Sequence, residues 1–422
     1  MGGARVGRVS AAHLVALVCV AQVLVQIGAF FWPALLPGMM DRWALTNSEA
    51  GWITASFYGA YILAVPILVT LTDRTDAKHV YLGGVAATVL GHLVFAFLAD
   101  GFWSAFVARA LTGVGWAGTY MTGLKLLADH VDEKLMSRAT AGHAASIGIS
   151  GSLSFACADF IADGFGWRSA FLVAGVSAAL AWLLVAAAVP GRTQALVQPT
   201  SHVALFDFRP VFRNRSAMAY AIAYCIHTLE MSALRGWGVA FLGFVALTTD
   251  TSEAPLSPAA TLTVLGLTGT LASVFGNEVA IRIGRRRLIT LAMAGSAICA
   301  MLLGVVGSQS YVFAVALMLI YGPIIWLDSS SLTAGTAGTA EPSRRGATLA
   351  VHSMLGYIGG FLGPLAMGWI LDWRGGMSPA AWAAAFTTIA MLMLIALAAF
   401  LIMRPRALAG DRRGDEPSQS PG

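Results

Sequence analysis

The chain has 422 residues, of which 57% are hydrophobic and only 11% charged, and its mean hydropathy is +0.74. Soluble domains carry about 25% charged residues, so the composition excludes a soluble globular protein and describes an integral membrane protein. The formal charge of +5 does not describe a nucleic-acid binder, because the basic residues are scattered between apolar segments and form no patch.

Cys19, Cys157, Cys225 and Cys299 each fall in a separate apolar segment, which offers neither a disulfide framework nor a metal site. No nucleophile–base pair, nucleotide-binding loop or cofactor motif stands out, so no enzyme, no metal and no cofactor is expected. Arg5 and Arg8 precede an apolar run from Ala11 that is too long for a signal peptide and reads as an uncleaved first helix. Arginine outnumbers lysine 23 to 3, and alanine and glycine abound, which points to a GC-rich bacterial genome.

A helix needs about 20 apolar residues to cross a bilayer. Twelve such runs follow one another, at 11–36, 49–71, 80–99, 102–127, 139–161, 169–189, 217–247, 258–281, 288–307, 311–336, 346–371 and 380–403. In the first, Gln22 and Gln26 are four apart and share a face, for substrate or for neighbouring helices. Pro33 and Pro37 suit its end. Thr46-Asn47-Ser48-Glu49 is a capping box opening the second. Arg109 sits about 10 Å into the fourth, facing a cavity or snorkelling to the surface. Gly113-Val114-Gly115-Trp116-Ala117-Gly118 spells a dinucleotide fingerprint, but within a spanning helix its small residues serve close packing instead.

The seventh run holds His227, Glu230 and Arg235. A charge at bilayer depth costs about 2.5–3.5 kcal/mol on insertion scales and persists only beside a cavity or a partner. At about 100° per residue the three side chains fit within an arc of about 140°, a single face. Asp328 interrupts the tenth run in the same way. Either Glu230 or Asp328 is expected to carry a proton, with Arg235 as counter-ion; a static ion pair is the alternative. His92, His143 and His352 are expected to be structural. In the eleventh run Gly359, Gly363 and Pro364 mark a close-packing, bending helix.

Positive charge orients the chain. With the N-terminus inside, one side collects 21 of the 26 Lys and Arg residues, the other only Arg42, Arg168 and Arg374. Both termini and the 190–216 loop are therefore expected in the cytoplasm. A repeat is also visible: Asp73-Arg74 against Ile281-Arg282, Arg138 against Arg344, and Trp167-Arg168 against Trp373-Arg374, at offsets of 208, 206 and 206. The expected domains are a six-helix half at 1–189, a cytoplasmic linker at 190–216, a six-helix half at 217–403 and a disordered tail at 404–422. Parallel repeats place a binding site between the halves near the midplane.

Val69-Thr70-Leu71-Thr72-Asp73-Arg74-Thr75-Asp76-Ala77-Lys78 resembles the G-x-x-x-D-R-x-G-R-K loop of the major facilitator superfamily, with Val69 and Asp76 in place of the glycines. Arg282-Ile283-Gly284-Arg285-Arg286-Arg287 looks like its second copy, Arg109-Ala110-Leu111-Thr112-Gly113-Val114-Gly115 resembles the family's R-x-x-x-G-x-G, and Gly166-Trp167-Arg168-Ser169-Ala170-Phe171 a common opening of the sixth helix. The resemblance implies alternating access by two rocking halves. It places Asp73, Arg74, Lys78, Arg138, Arg282 and Arg285 at a cytoplasmic gate and makes Arg109 cavity-facing.

The expectation is an all-α, twelve-helix secondary transporter of a bacterial inner membrane, a monomer moving a small solute together with protons. The substrate and proton path comprises Arg109, His227, Glu230, Arg235, Asp328, Gln22 and Gln26, whose arginines favour an anionic or carboxylate-bearing solute. A proton-coupled efflux pump for lipophilic compounds is one alternative. A transporter-like receptor or scaffold without flux is another.

Overall fold

The computed structural model describes residues 11–191, 208–251, 256–408 and 411. Arg5, Arg8, most of the linker and most of the tail lie outside the described residues. Every element described is helical. The first eight are α1 (Ala11–Gln26), α2 (Phe31–Ala34), α3 (Leu36–Trp43), α4 (Asn47–Leu71), α5 (Ala77–Leu98), α6 (Phe102–Ala128), α7 (Glu133–Phe165) and α8 (Trp167–Ala188). Then follow α9 (Arg209–Arg213), α10 (Arg215–Thr248), α11 (Pro258–Ile283), α12 (Arg285–Val306), α13 (Tyr311–Trp326), α14 (Ser329–Thr339), α15 (Arg345–Trp373) and α16 (Pro379–Met403).

Short polar side chains start these helices by accepting from free N-terminal amides. Asp76 takes the Lys78 N–H at 2.9 Å, Asn214 that of Ala217 at 3.1 Å, Ser257 that of Ala260 at 3.2 Å and Ser378 that of Ala381 at 3.2 Å. Asp76, where the family loop has glycine, is thus the N-cap of α5. At α4 the capping box closes both ways: Thr46 N–H donates to Glu49 Oε2 at 2.9 Å and Glu49 N–H to Thr46 Oγ1 at 3.2 Å.

Among the described residues ten helical spans are long and apolar enough to cross a membrane, α13 and α14 counting as one. The two other runs are also helical: α1 is only 16 residues long, and α6, at 27 residues, carries Arg109 and Lys125.

Two runs expected to be continuous are broken. The first stops at Gln26 and resumes as α2 and α3. Pro33 has no N–H for the carbonyl four residues before it, so Ala29 loses its helical donor. The tenth breaks at Leu327 and Asp328, between α13 and α14. There Gly276 of α11 lies so close to the Leu327 carbonyl that a Cβ would overlap it.

By packing the chain forms two bodies, Met1–Leu35 with Ser56–Thr200, and Leu36–Ala55 with Ser201–Gly422. In the first, α1 packs on α7 and α8, and α5 on α6 and α8, around Val18, Val25, Tyr81, Leu126 and Val185. Gly113 meets the Phe57 carbonyl, and Gly115 meets Thr88. In the second, α10 is surrounded by α15, α14, α16, α11 and α13. Gly359 and Gly363 of α15 lie on the Cys225 and Leu229 carbonyls, and the Pro364 carbonyl accepts from Trp237 Nε1 at 2.9 Å.

The start of α4 lies in the second body, where Asp372, at the end of α15, holds it. The Asp372 carboxylate accepts from Asn47 N at 3.1 Å, Asn47 Nδ2 at 2.8 Å and Ser48 N at 2.7 Å. The segment after α16, expected to be disordered from Arg404, stays on this body at first. Arg406 N donates to Ser216 Oγ at 3.1 Å, its carbonyl accepts from Tyr220 Oη at 3.2 Å, and Leu408 covers Gly338.

Candidate functional site

Each body encloses buried polar side chains at a helix break. In the first body Arg109 is 2% exposed. Its Nη1 donates to the Ala29 carbonyl at 3.0 Å, and its guanidinium carbon lies 4.7 Å from the centre of the Phe57 ring. Arg109 Nε has no hydrogen-bond partner among the described residues. Ser154 Oγ takes the Phe30 N–H at 2.9 Å, so side chains from α6 and α7 satisfy one carbonyl and one amide of the break. His92 packs against Gly28 at the same turn.

Gln22 and Gln26 face neighbouring helices. Gln22 Oε1 accepts from Tyr81 Oη at 3.2 Å, and Gln26 Nε2 donates to Thr119 Oγ1 at 3.1 Å. Gln22 Nε2 is buried without a partner among the described residues.

The second body gathers His227, Glu230 and Asp328, each 1–2% exposed. Glu230 Oε1 accepts from Ser296 Oγ at 2.5 Å and from Tyr321 Oη at 2.6 Å, while Oε2 has no partner among the described residues. His227 Nδ1 lies 3.1 Å from Asp328 Oδ1. That oxygen makes no hydrogen bond among the described residues, so the distance is that of an ion-pair contact whose angles fall short of a hydrogen bond. The break at Leu327 turns Asp328 toward α10. Arg235 sets its guanidinium carbon 4.6 Å from the centre of the Trp326 ring. Tyr224 stacks on His352 at 4.0 Å between centroids and on His227 at 5.7 Å.

Two carboxylates, one imidazole and two hydroxyls, all removed from solvent, can hold and pass protons. The sequence points to His227, Glu230 and Asp328 because ionisable residues interrupt apolar runs. It does not point to Ser296, Tyr321 or Tyr224, which are ordinary helix residues until the fold aims them.

The sequence model of the Major Facilitator Superfamily matches residues 18–327 and, in a second overlapping match, 231–421. The chain belongs to the major facilitator superfamily. Protein spinster homolog 1 of Bos taurus is 25% identical over 401 residues, which cover 87% of this chain and 75% of that protein. Among solved structures, a point mutant of the nucleoside transporter NupG superposes with a TM-score of 0.76 at 13% identity, over 93% of this chain and all of that one. A bacterial homologue of the human lysosomal transporter Spinster, inward-facing and occupied, superposes with a TM-score of 0.72 at 14% identity, over 93% and 96%. The fold is thus that of a multi-pass major facilitator transporter, and the chain is no enzyme.

Within this facilitator the gate residues have separate environments. Asp73, Arg74 and Arg138 are exposed, and their side chains make no hydrogen bond or ion pair among the described residues. Lys78 instead caps the end of α8, donating to the Ala186 and Val189 carbonyls at 2.9 and 2.7 Å, where a cation suits the helix dipole. Arg282 pairs with Glu278 at 3.1 Å on an exposed face. Arg285 is buried, donating from Nε and Nη2 to the Asp411 carboxylate at 3.1 Å each and from Nη1 to Asn277 Oδ1 at 2.9 Å.

Proposed function

We propose that this facilitator is a secondary active transporter that moves a small anionic or carboxylate-bearing solute together with protons. The observation that carries this reading is the His227–Glu230–Asp328 cluster. Carboxylates kept inside a membrane protein mark ion and proton paths, and here Glu230 Oε2 and Asp328 Oδ1 are without hydrogen-bond donors among the described residues. Arg109 Nε, buried and without an acceptor among the described residues, supports a negatively charged solute group.

The halves 1–189 and 217–403, joined by the 190–216 linker, alternate access to a site near the midplane. The protein acts as a monomer in a bacterial inner membrane with both termini cytoplasmic, the orientation favoured by the arginine distribution.

Purified protein in proteoliposomes tests this reading. A panel of organic acids, nucleosides and lipophilic cations is offered with and without an acid-outside gradient. Gradient-driven accumulation of an acid, abolished by an uncoupler, is the expected result. Preference for lipophilic cations would favour the efflux alternative, and no flux of any probe would favour a receptor or scaffold.

A further inference from the structure

The sequence of α14 supports a helix poorly. Of its eleven residues three are Ser, three Thr and two Gly, all of which disfavour a helix interior relative to alanine. A helix shorter than about 12 residues is marginal by itself. The break at Leu327 and Asp328 also interrupts the ladder that would tie α14 to α13. Packing from outside must therefore hold it in shape.

Three of the contacts that do so are mounted on the chain after α16. Leu408 covers Gly338 so closely that a Cβ at 338 would lie 2.6 Å from its side chain. The Tyr220 ring packs on Gly335, while its Oη donates to the Arg406 carbonyl at 3.2 Å. Arg285 Nη1 donates to the Ser331 carbonyl at 3.3 Å, while Asp411 holds its Nε and Nη2 at 3.1 Å each. The tail thus serves the start of α14 at Ser331, its middle at Gly335 and its end at Gly338. The other holds on α14, from Asn214, Ser273 and His352, are single hydrogen bonds. Each is weaker than a bidentate charged pair.

No nearer acid replaces Asp411. Glu278 pairs with Arg282, and Ile281 stands where the first copy of the loop has Asp73. The Arg285 side chain is 4% exposed, and a cation kept from water needs a counter-charge. Here that charge comes from 126 positions away. Once it is lost, the guanidinium is driven toward water and away from the Ser331 carbonyl.

We propose that the tail, through Arg406, Leu408 and Asp411, is a strap that keeps α14 seated, and that strap and α14 open together about the Leu327–Asp328 break. Asp328 is the N-cap residue of α14, so its place 3.1 Å from His227 depends on the strap. The tail thereby regulates the half-helix that positions one member of the buried cluster.

Amide hydrogen exchange of the full chain in detergent, read by mass spectrometry, tests the strap without a substrate. In the native protein, peptides over 329–340 and over 404–411 should exchange with one shared opening rate; separate rates would overturn the proposal. Asp411→Ala and Leu408→Ala should each speed exchange at 329–340 about tenfold or more, while peptides of α13 keep their rates. Faster exchange in the tail alone would show that α14 stands without it. An equal rise in α13 would make Asp411 a support of the whole body, and either result overturns the strap. Should these variants fail to fold, Gly338→Cys with Leu408→Cys joins the tail to α14 by a disulfide. Oxidation is then expected to slow exchange at 329–340 about tenfold, and a thiol reductant to restore it. An unchanged rate in the oxidised protein would again overturn the proposal.

Discussion

Arg109 Nη1 donates at 3.0 Å to the Ala29 carbonyl, the acceptor that Pro33 leaves without its helical donor. A proline in one helix thereby creates the binding partner for a buried arginine in another. The same bond fastens the break in the first run and orients the guanidinium over Phe57. Arg109 accordingly has a structural duty besides any part in transport.

Arg109→Ala is expected to destabilise the protein by about 1–3 kcal/mol, because it leaves a buried carbonyl unpaired. Pro33→Ala restores a donor for that carbonyl, so the same substitution should cost less in the Pro33→Ala background. A thermal-unfolding double-mutant cycle in detergent measures the coupling. Additive effects would show that Ala29 is not what Arg109 supports.

Tyr321→Phe and Ser296→Ala each remove one hydroxyl from Glu230 Oε1. Hydrogen bonds to charged groups contribute about 1.5–3 kcal/mol, so each variant should unfold at a lower temperature. In the Glu230→Gln background the loss should shrink, since the amide is uncharged. Equal losses in both backgrounds would mean that the hydroxyls act elsewhere. In vesicles, Glu230→Gln should abolish gradient-driven accumulation while exchange of labelled solute persists.

At the start of α4, Asp372 takes two backbone amides and the Asn47 side chain. Losing a helix cap costs about 0.5–2 kcal/mol, and Asp372→Ala should fall in that range. Asp372→Asn should retain part of the stability by keeping one acceptor oxygen. Cysteine accessibility at Ser48 should rise in the alanine variant; unchanged labelling would mean that other contacts hold the helix start.

Arg285 and Asp411 form a buried, bidentate pair at the end of the second body. Removing one partner of a buried pair costs about 3–5 kcal/mol, whereas replacing both with apolar residues is often neutral. Asp411→Ala should therefore destabilise more than the double variant Arg285→Met, Asp411→Leu, as judged by thermal unfolding. It should also speed proteolysis after Arg406. A double variant no better than the single one would remove this pair from the account.

The sequence by itself determines that this is a membrane protein of many spans with a repeated plan. It also determines that His227, Glu230, Arg235 and Asp328 are costly positions, because burial in an apolar run and helical spacing are local properties. It shows the capping box at Thr46 and Glu49 in the same way. It does not show that Gln26 meets Thr119, that Ser296 and Tyr321 share one oxygen of Glu230, or that Asp372 caps a helix beginning at Asn47. Those contacts span some 65 to 325 positions of chain, and only helix packing chooses them. The two broken runs lie between these cases. Pro33 removes a donor in any fold, but Arg109 and Ser154 make the resulting break tolerable in an apolar interior, and tertiary structure decided where they would stand.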